Sequence, residues 1–290
     1  MVGGGDTVIR RYPFTGITAA ISISDSPDLR ILGLDKPHLE DAMIEIARHL
    51  LAQGARLIYG GDLRPHGFTE QLCELVLRHN RNSAEYEQKG RVANYLAWPV
   101  HASATQPWWG KEWPRHLPSI ELVCLTREGQ RTEFGGHSAN VEYQSISQMP
   151  QMNSQDWRIG LTSLRRVMLI ESNVRIVIGG QVSGYQGVMP GIAEEALLSL
   201  KARQPLFLLG GFGGCARDIA ESIGLLEPWS RETRNWDGRC SFNEFQNPHQ
   251  MNGLTTEENK ILARTPHIDE AIPLILKGMM YVSKAQEQHQ

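Results

Sequence analysis

The 290-residue chain has few cysteines, little net charge and no long apolar runs, and each shortage closes off a class of function. Its four cysteines, Cys73, Cys124, Cys215 and Cys240, stand far apart and form no CxxC pair. That argues against a disulfide framework or a zinc knuckle and points to a reducing cytoplasm. The net charge is −3 and the pI near 6.4, so no basic field is there to draw nucleic acid. Ten histidines are scattered without HExxH or similar spacing, and no metal site is expected. No apolar run reaches the ~18 residues of a membrane-spanning helix. The leading MVGGGDTVIRRYP lacks the apolar stretch of a signal peptide, and residues 1–15 are set apart from the fold as an extension or linker. GxGxxG, GxxxxGKS/T and repeats of ~20–50 residues are missing as well. What remains, 41% hydrophobic and 21% charged, is the balance of a soluble globular domain.

The apolar pattern that is present reads as alternating strands and helices. GITAAISIS (16–24) alternates and is β-branched, which predicts a buried strand. HLEDAMIEIARHLLAQG then places Leu39, Met43, Ile46 and Leu50 on one stripe at helical spacing and stops at Gly54. ARLIYGG predicts a second strand and FTEQLCELVLRHN a second helix. RVANYLAWPV and IELVCLT read as strands on either side of a loop rich in tryptophan and proline, and the chain is then polar and aperiodic up to Gly160. LTSLRRVMLIES, VRIVIGG, GIAEEALLSLKARQ, PLFLLGG and CARDIAESIG continue as helix, strand, helix, strand, helix. A polar excursion after residue 225 precedes two helices, TTEENKILAR and IDEAIPLILKGMMYV. The expected fold is α/β: a doubly wound, mostly parallel Rossmann-like sheet flanked by helices over residues 16–225. Residues 226–290 form a C-terminal helical extension on the same domain.

Three expected strand ends carry glycine pairs: Gly60–Gly61, Gly179–Gly180 and Gly210–Gly211. Ligands of open parallel sheets collect at the carboxyl ends of strands, where glycine lets backbone approach a phosphate and the next helix offers free N–H groups. The same glycines also permit tight strand-to-helix turns with no ligand at all. Gly184 and Gly191 lie in the stretch after the second pair. Pro190 starts the following helix, and Glu194 and Glu195 lie about one turn in, where they stabilise the helix start or accept hydrogen bonds from ribose hydroxyls. Adjacent helical residues point about 100° apart, so one of the two carboxylates at most is expected to face a pocket. Arg165 or Arg166, just before the strand ending at Gly179, is placed to hold a phosphate bidentately or to lie on a solvated helix face. Ser24 and Asp25 after the first strand and Asp62 after the second are polar candidates for the same crevice, and WWGKEW (108–113) is a stacking lid, a plug or an oligomer contact.

Together these residues resemble the SLOG superfamily, the Rossmann-like group named for the Smf/DprA and Lonely Guy proteins. Lonely Guy phosphoribohydrolases carry a signature P-G-G-x-G-T-x-x-E, of which Gly179–Gly180 resemble the glycine pair and GIAEE (191–195) the closing part. Ile178 stands in place of the first proline and Ile192 in place of the threonine, with QVSGYQGVMP between the two parts. The run SLRRVMLIESNVRIVIGGQVSGYQGVMPGIAEEALLSLKARQPLFLLGGFGG resembles the TPALS branch, the TIR- and PNP-associating SLOG proteins, as does ISISDSPDLRILGL. The resemblance implies a domain that binds a nucleotide-derived signal of the NAD or ADP-ribose type, in bacterial antiviral defence with a TIR-type effector on another chain. It also implies a homo-oligomer and no required cofactor. The alternative is an N-glycosidase or phosphoribohydrolase with Glu195 as acid/base and Arg165 as phosphate anchor.

Overall fold

The computed structural model describes residues 12–61, 67–82, 91–102, 120–132, 152–229, 233–246 and 251–288. Its strands are β1 (Thr18–Ser24), β2 (Arg56–Gly60), β3 (Val92–Leu96), β4 (Glu121–Leu125), β5 (Arg131–Thr132), β6 (Val174–Gly179) and β7 (Leu206–Leu209). Its helices are α1 (Lys36–Ala52), α2 (Phe68–Asn82), α3 (Trp98–Ala102), α4 (Ser154–Ile170), α5 (Gly191–Lys201), α6 (Gly214–Ser222), α7 (Thr256–Arg264) and α8 (Ile268–Glu287). The strands make one sheet in the order β5-β4-β3-β2-β1-β6-β7, parallel throughout except for β5.

Alternation along each strand splits the core into two layers. Ala19, Ile21 and Ile23 of β1, Leu57 and Tyr59 of β2, and Ile176 and Ile178 of β6 pack toward α1, α2 and α8. On the other face, Ala20, Ile58, Ala93 and Tyr95 meet Leu164 and Met168 of α4. Val177, Leu206 and Leu208 meet α5 and α6 on that face. The stripe Leu39, Met43, Ile46 and Leu50 is buried as the periodicity predicts, and Gly54 follows the α1 C-cap at φ +94°.

Three elements depart from the sequence reading. The α4 helix begins at Ser154, several residues before the expected LTSLRRVMLIES. Asn153 caps it, its Oδ1 accepting from Gln155 N at 2.9 Å and Asp156 N at 3.0 Å. Gly160, the last residue of the stretch read as aperiodic, lies inside α4 and lets the helix press on Pro99, whose Cδ lies 2.5 Å from where a Cβ would stand. The stretch RVANYLAWPV is strand only as far as Leu96 and then turns into α3. A two-residue antiparallel strand, β5, closes the edge beside β4.

The chain winds outward from β1 through β2, β3 and β4, then returns along α4 to place β6 on the other side of β1. The sheet order therefore reverses between β1 and β6, where Ser24 lies in register with Gly179. Such a reversal opens a crevice at the carboxyl ends of the strands.

Candidate functional site

Because β2, β6 and β7 are parallel, their three glycine corners lie along one rim. At the centre, Gly179 and Gly180 take φ of +63° and +107°, a turn that glycine alone adopts freely. Gly180 N donates to Ser24 O at 3.0 Å and Gln181 N to Ser24 Oγ at 3.3 Å, fastening this turn to the end of β1. Gly180 O accepts from Cys215 N at 2.9 Å, and a Cβ on Gly180 would stand 2.8 Å from Cys215 Cβ and 3.0 Å from Ile192 Cδ1. The corner is thus packed between the starts of α5 and α6.

The outer corners are packed too. Gly60 abuts Met168 Sδ, and Gly61 N donates to Asn94 Oδ1 at 3.1 Å with Thr69 and Tyr59 close by. Gly210 and Gly211 open a 3-10 turn, Gly210–Phe212, that is covered by the carbonyls of Ala263 and Thr265 at the end of α7. Asp25 is half-buried, with an Oδ1 that has no hydrogen-bond partner. Asp62 and WWGKEW lie outside the described residues.

Below the rim three of the charged candidates, Arg165, Glu194 and Glu195, form a buried quartet with Arg175. Arg165 Nη1 donates to Glu194 Oε2, and Thr162 Oγ1 donates to Glu194 Oε1 at 2.5 Å. Glu195 Oε2 accepts from Arg175 Nη1 at 2.7 Å and from Ser22 Oγ, and Arg165 Nε lies 3.8 Å from Glu195 Oε1. Both carboxylates are buried, at 5% and 9% exposure, and both turn into the protein. The first turns of α5 lie under the β6–α5 loop and against α4 and β1, so neighbouring faces of the helix are both covered. Arg165 faces inward and Arg166 outward.

Arg175 escaped the sequence reading. It has no exposed surface and also donates to Ser199 Oγ at 3.0 Å and Ser22 Oγ at 2.8 Å. Burial pushes its guanidinium below the usual value, Glu195 pulls it back up, and nearby Arg165 pushes it down again. The missed signal was a charge inside VRIVIG: an arginine in a buried strand demands a carboxylate.

The β6–α5 loop lies over this quartet. Cβ atoms on Gly187 and Gly191 would meet Arg165 Nη1 at 2.8 Å and Nη2 at 2.7 Å, so glycine lets the backbone close down on the guanidinium. On the side of the loop away from the quartet a cavity of about 750 Å³ opens. Its walls are the loop from Val182 to Gly187, the first turns of α4 with Trp157 and Arg158, and a strap, Asn235–Asp237. Gly184, at φ +70°, has no atom within 4 Å of its Cβ position. Tyr185 Oη donates to Asp237 Oδ2 at 2.7 Å and accepts from Asp237 N at 3.2 Å, joining loop to strap.

Arg234 anchors that strap. It grips Asp28 with two 2.8 Å bonds and Asp218 with a third of the same length. Asp28 Oδ2 also accepts from Gly214 N at 2.6 Å, at the start of α6. Trp236 Nε1 donates to Asp218 Oδ2 at 3.0 Å. Sequence reasoning took this region for a surface excursion and missed its part in the cavity; the charges that hold it are remote in sequence.

Among the described residues no group of histidines, cysteines and carboxylates is placed to hold a metal ion, and no helix is long and apolar enough to cross a membrane. No curated protein matches the chain. The family model described as SLOG cluster2 matches residues 13–265, a span that takes in the whole sheet, the strap and α7. With that match over most of its length, the chain belongs to the SLOG superfamily.

Proposed function

We propose that the protein binds and senses a nucleotide-derived molecule of the NAD or ADP-ribose type, at the rim where β1 and β6 part. The observation that carries this reading is the cavity of about 750 Å³ lined by the β6–α5 loop that follows the Gly179–Gly180 corner. Its size falls in the range of small-molecule sites, ~300–1,000 Å³, and SLOG membership supports a nucleotide-related ligand.

Sensing is favoured over cleavage by the state of the carboxylates. A glycosidic acid/base must reach the reacting bond. Glu195 instead gives Oε2 to Arg175 and Ser22 and is buried with Oε1 toward Arg165, and Glu194 gives its two oxygens to Arg165 and Thr162. No group-transfer step is assigned to either. A homo-oligomer that passes its ligand state to a TIR-type effector on another chain, in antiviral defence, completes the proposal and rests on the resemblance to the TPALS branch.

Titration calorimetry of the full chain with ADP-ribose, cyclic ADP-ribose isomers and NAD is expected to show saturable heat. Chromatography after long incubation is expected to return each ligand intact. Silence across the whole panel overturns the reading, and steady release of free base replaces it with an N-glycosidase.

A further inference from the structure

A glycine corner at a sheet reversal normally suggests a ligand lying directly on the strand ends. Here that inner space is filled by the chain itself. Gly179 and Gly180 are packed against Ser24, Cys215 and Ile192, and the Arg165–Glu194 pair is sealed under Gly187 and Gly191. The open volume lies on the other side of the β6–α5 loop.

The chemistry of its walls is specific. Trp157 supplies an indole face from α4. Arg158, exposed beside it, makes no ion pair among the described residues and acts on Tyr185 as a neighbouring positive charge. Asp237, exposed on the strap, is oriented by Tyr185, whose hydroxyl occupies one of its two oxygens. A carboxylate turns phosphate away but accepts from hydroxyls and amines, a guanidinium holds phosphate, and an indole ring stacks on a base. A neutral sugar would leave Arg158 without an anionic counterpart.

We infer that this outer cavity takes the nucleoside end of the ligand, its base against Trp157, its ribose hydroxyls donating to Asp237 and its adjoining phosphate on Arg158. The inference rests on the sensing proposal and narrows it: recognition falls on α4, the loop and the strap, while the glycine corner and the quartet shape the loop from beneath.

The test uses the full chain and ADP-ribose, with ribose 5-phosphate as the probe lacking a base. Trp157→Ala is expected to weaken ADP-ribose binding about tenfold. Trp157→Phe, which keeps a ring, is expected to hold within about threefold of the parent. Asp237→Ala is expected to lose a similar factor, and Tyr185→Phe, which removes the bond that orients Asp237, a smaller one. Ribose 5-phosphate is expected to bind weakly and with no response to Trp157→Ala.

Melting temperatures identify any variant that fails to fold, and Asp237→Ala together with the ribose 5-phosphate comparison carries the test if Trp157→Ala does. Unchanged ADP-ribose affinity in folded Trp157→Ala and Asp237→Ala overturns the inference and leaves the sensing proposal standing. Equal losses in Trp157→Ala and Trp157→Phe also overturn it, because stacking then plays no part. A parent protein that binds nothing in the panel overturns both.

Discussion

Arg175 shows what a single buried charge demands of its neighbours. Among the described residues its one carboxylate partner is Glu195, and the pair lies between β1, β6 and α5, away from solvent. Glu195→Gln keeps the shape but leaves a guanidinium without counter-charge, and removing one partner of a buried pair costs about 3–5 kcal/mol. The double variant Arg175→Met/Glu195→Gln removes the stranded charge and is expected to be more stable than Glu195→Gln alone. Urea midpoints of the parent and both variants check this, and a single variant as stable as the parent sinks it. The consequence reaches the functional question, since loss of any activity in Glu195→Gln is expected from the fold alone. Legibility at this scale was uneven. The pair Arg165 and Arg166 and the two glutamates could be picked out from their place around the glycine pair, though not which arginine turns inward. Their mutual pairing could not, because it depends on Arg175 and on the approach of α4 to α5, which are fixed in space and not in spacing.

The elements were most legible where a period runs unbroken. The α1 stripe sits in the core with Leu39, Met43 and Leu50 fully covered, because 3.6-residue spacing puts them on one face. The reading failed where tertiary contact overrides local preference, as at Gly160 against Pro99, or where a cap such as Asn153 sits in an otherwise polar stretch. The strap fails for a third reason: nothing in its composition shows that Arg234 reaches back to Asp28, in the loop after β1. That contact gives a prediction about an element and not a single side chain. Burial lowers the Arg234 charged state, but Asp28 and Asp218 more than restore it, so the guanidinium is held firmly protonated between them. Arg234→Met leaves Asp28 and Asp218 buried with less compensation and releases residues 233–246 from α6. Hydrogen exchange by mass spectrometry is expected to show faster labelling of Asn235–Asp237 in this variant, with β1 and β6 peptides unchanged. Uniform protection in both proteins means the strap is held by something other than Arg234.

At the scale of the molecule, the sheet with helices on both faces divides the thiols into one outside and three inside. Cys240 is exposed, whereas Cys73 in α2, Cys124 in β4 and Cys215 in α6 are buried and sample three different parts of the packing. Burial pushes the Cys73 and Cys124 thiols up to about 12 and raises Cys215 as well, so in the folded state all three stay neutral and poor nucleophiles. At pH 8 a thiol reagent is therefore expected to modify one cysteine rapidly and four after denaturation, and Cys240→Ser abolishes the fast phase. The same shifts set the alkaline limit. A thiol with a raised folded pKa favours the folded state fully below its ordinary value of 9.0, and that contribution is lost as pH climbs toward 12. Tyr95, raised to about 12 by burial and by its bond to Glu171, adds to the same limb. Urea midpoints are expected to fall steadily above pH 9, and Cys73→Ala/Cys124→Ala to flatten that fall even if it lowers the midpoint at neutral pH. Two or more fast thiols in the native protein at pH 8 mean that α2, β4 or α6 is open to solvent and that the three layers do not close as one body.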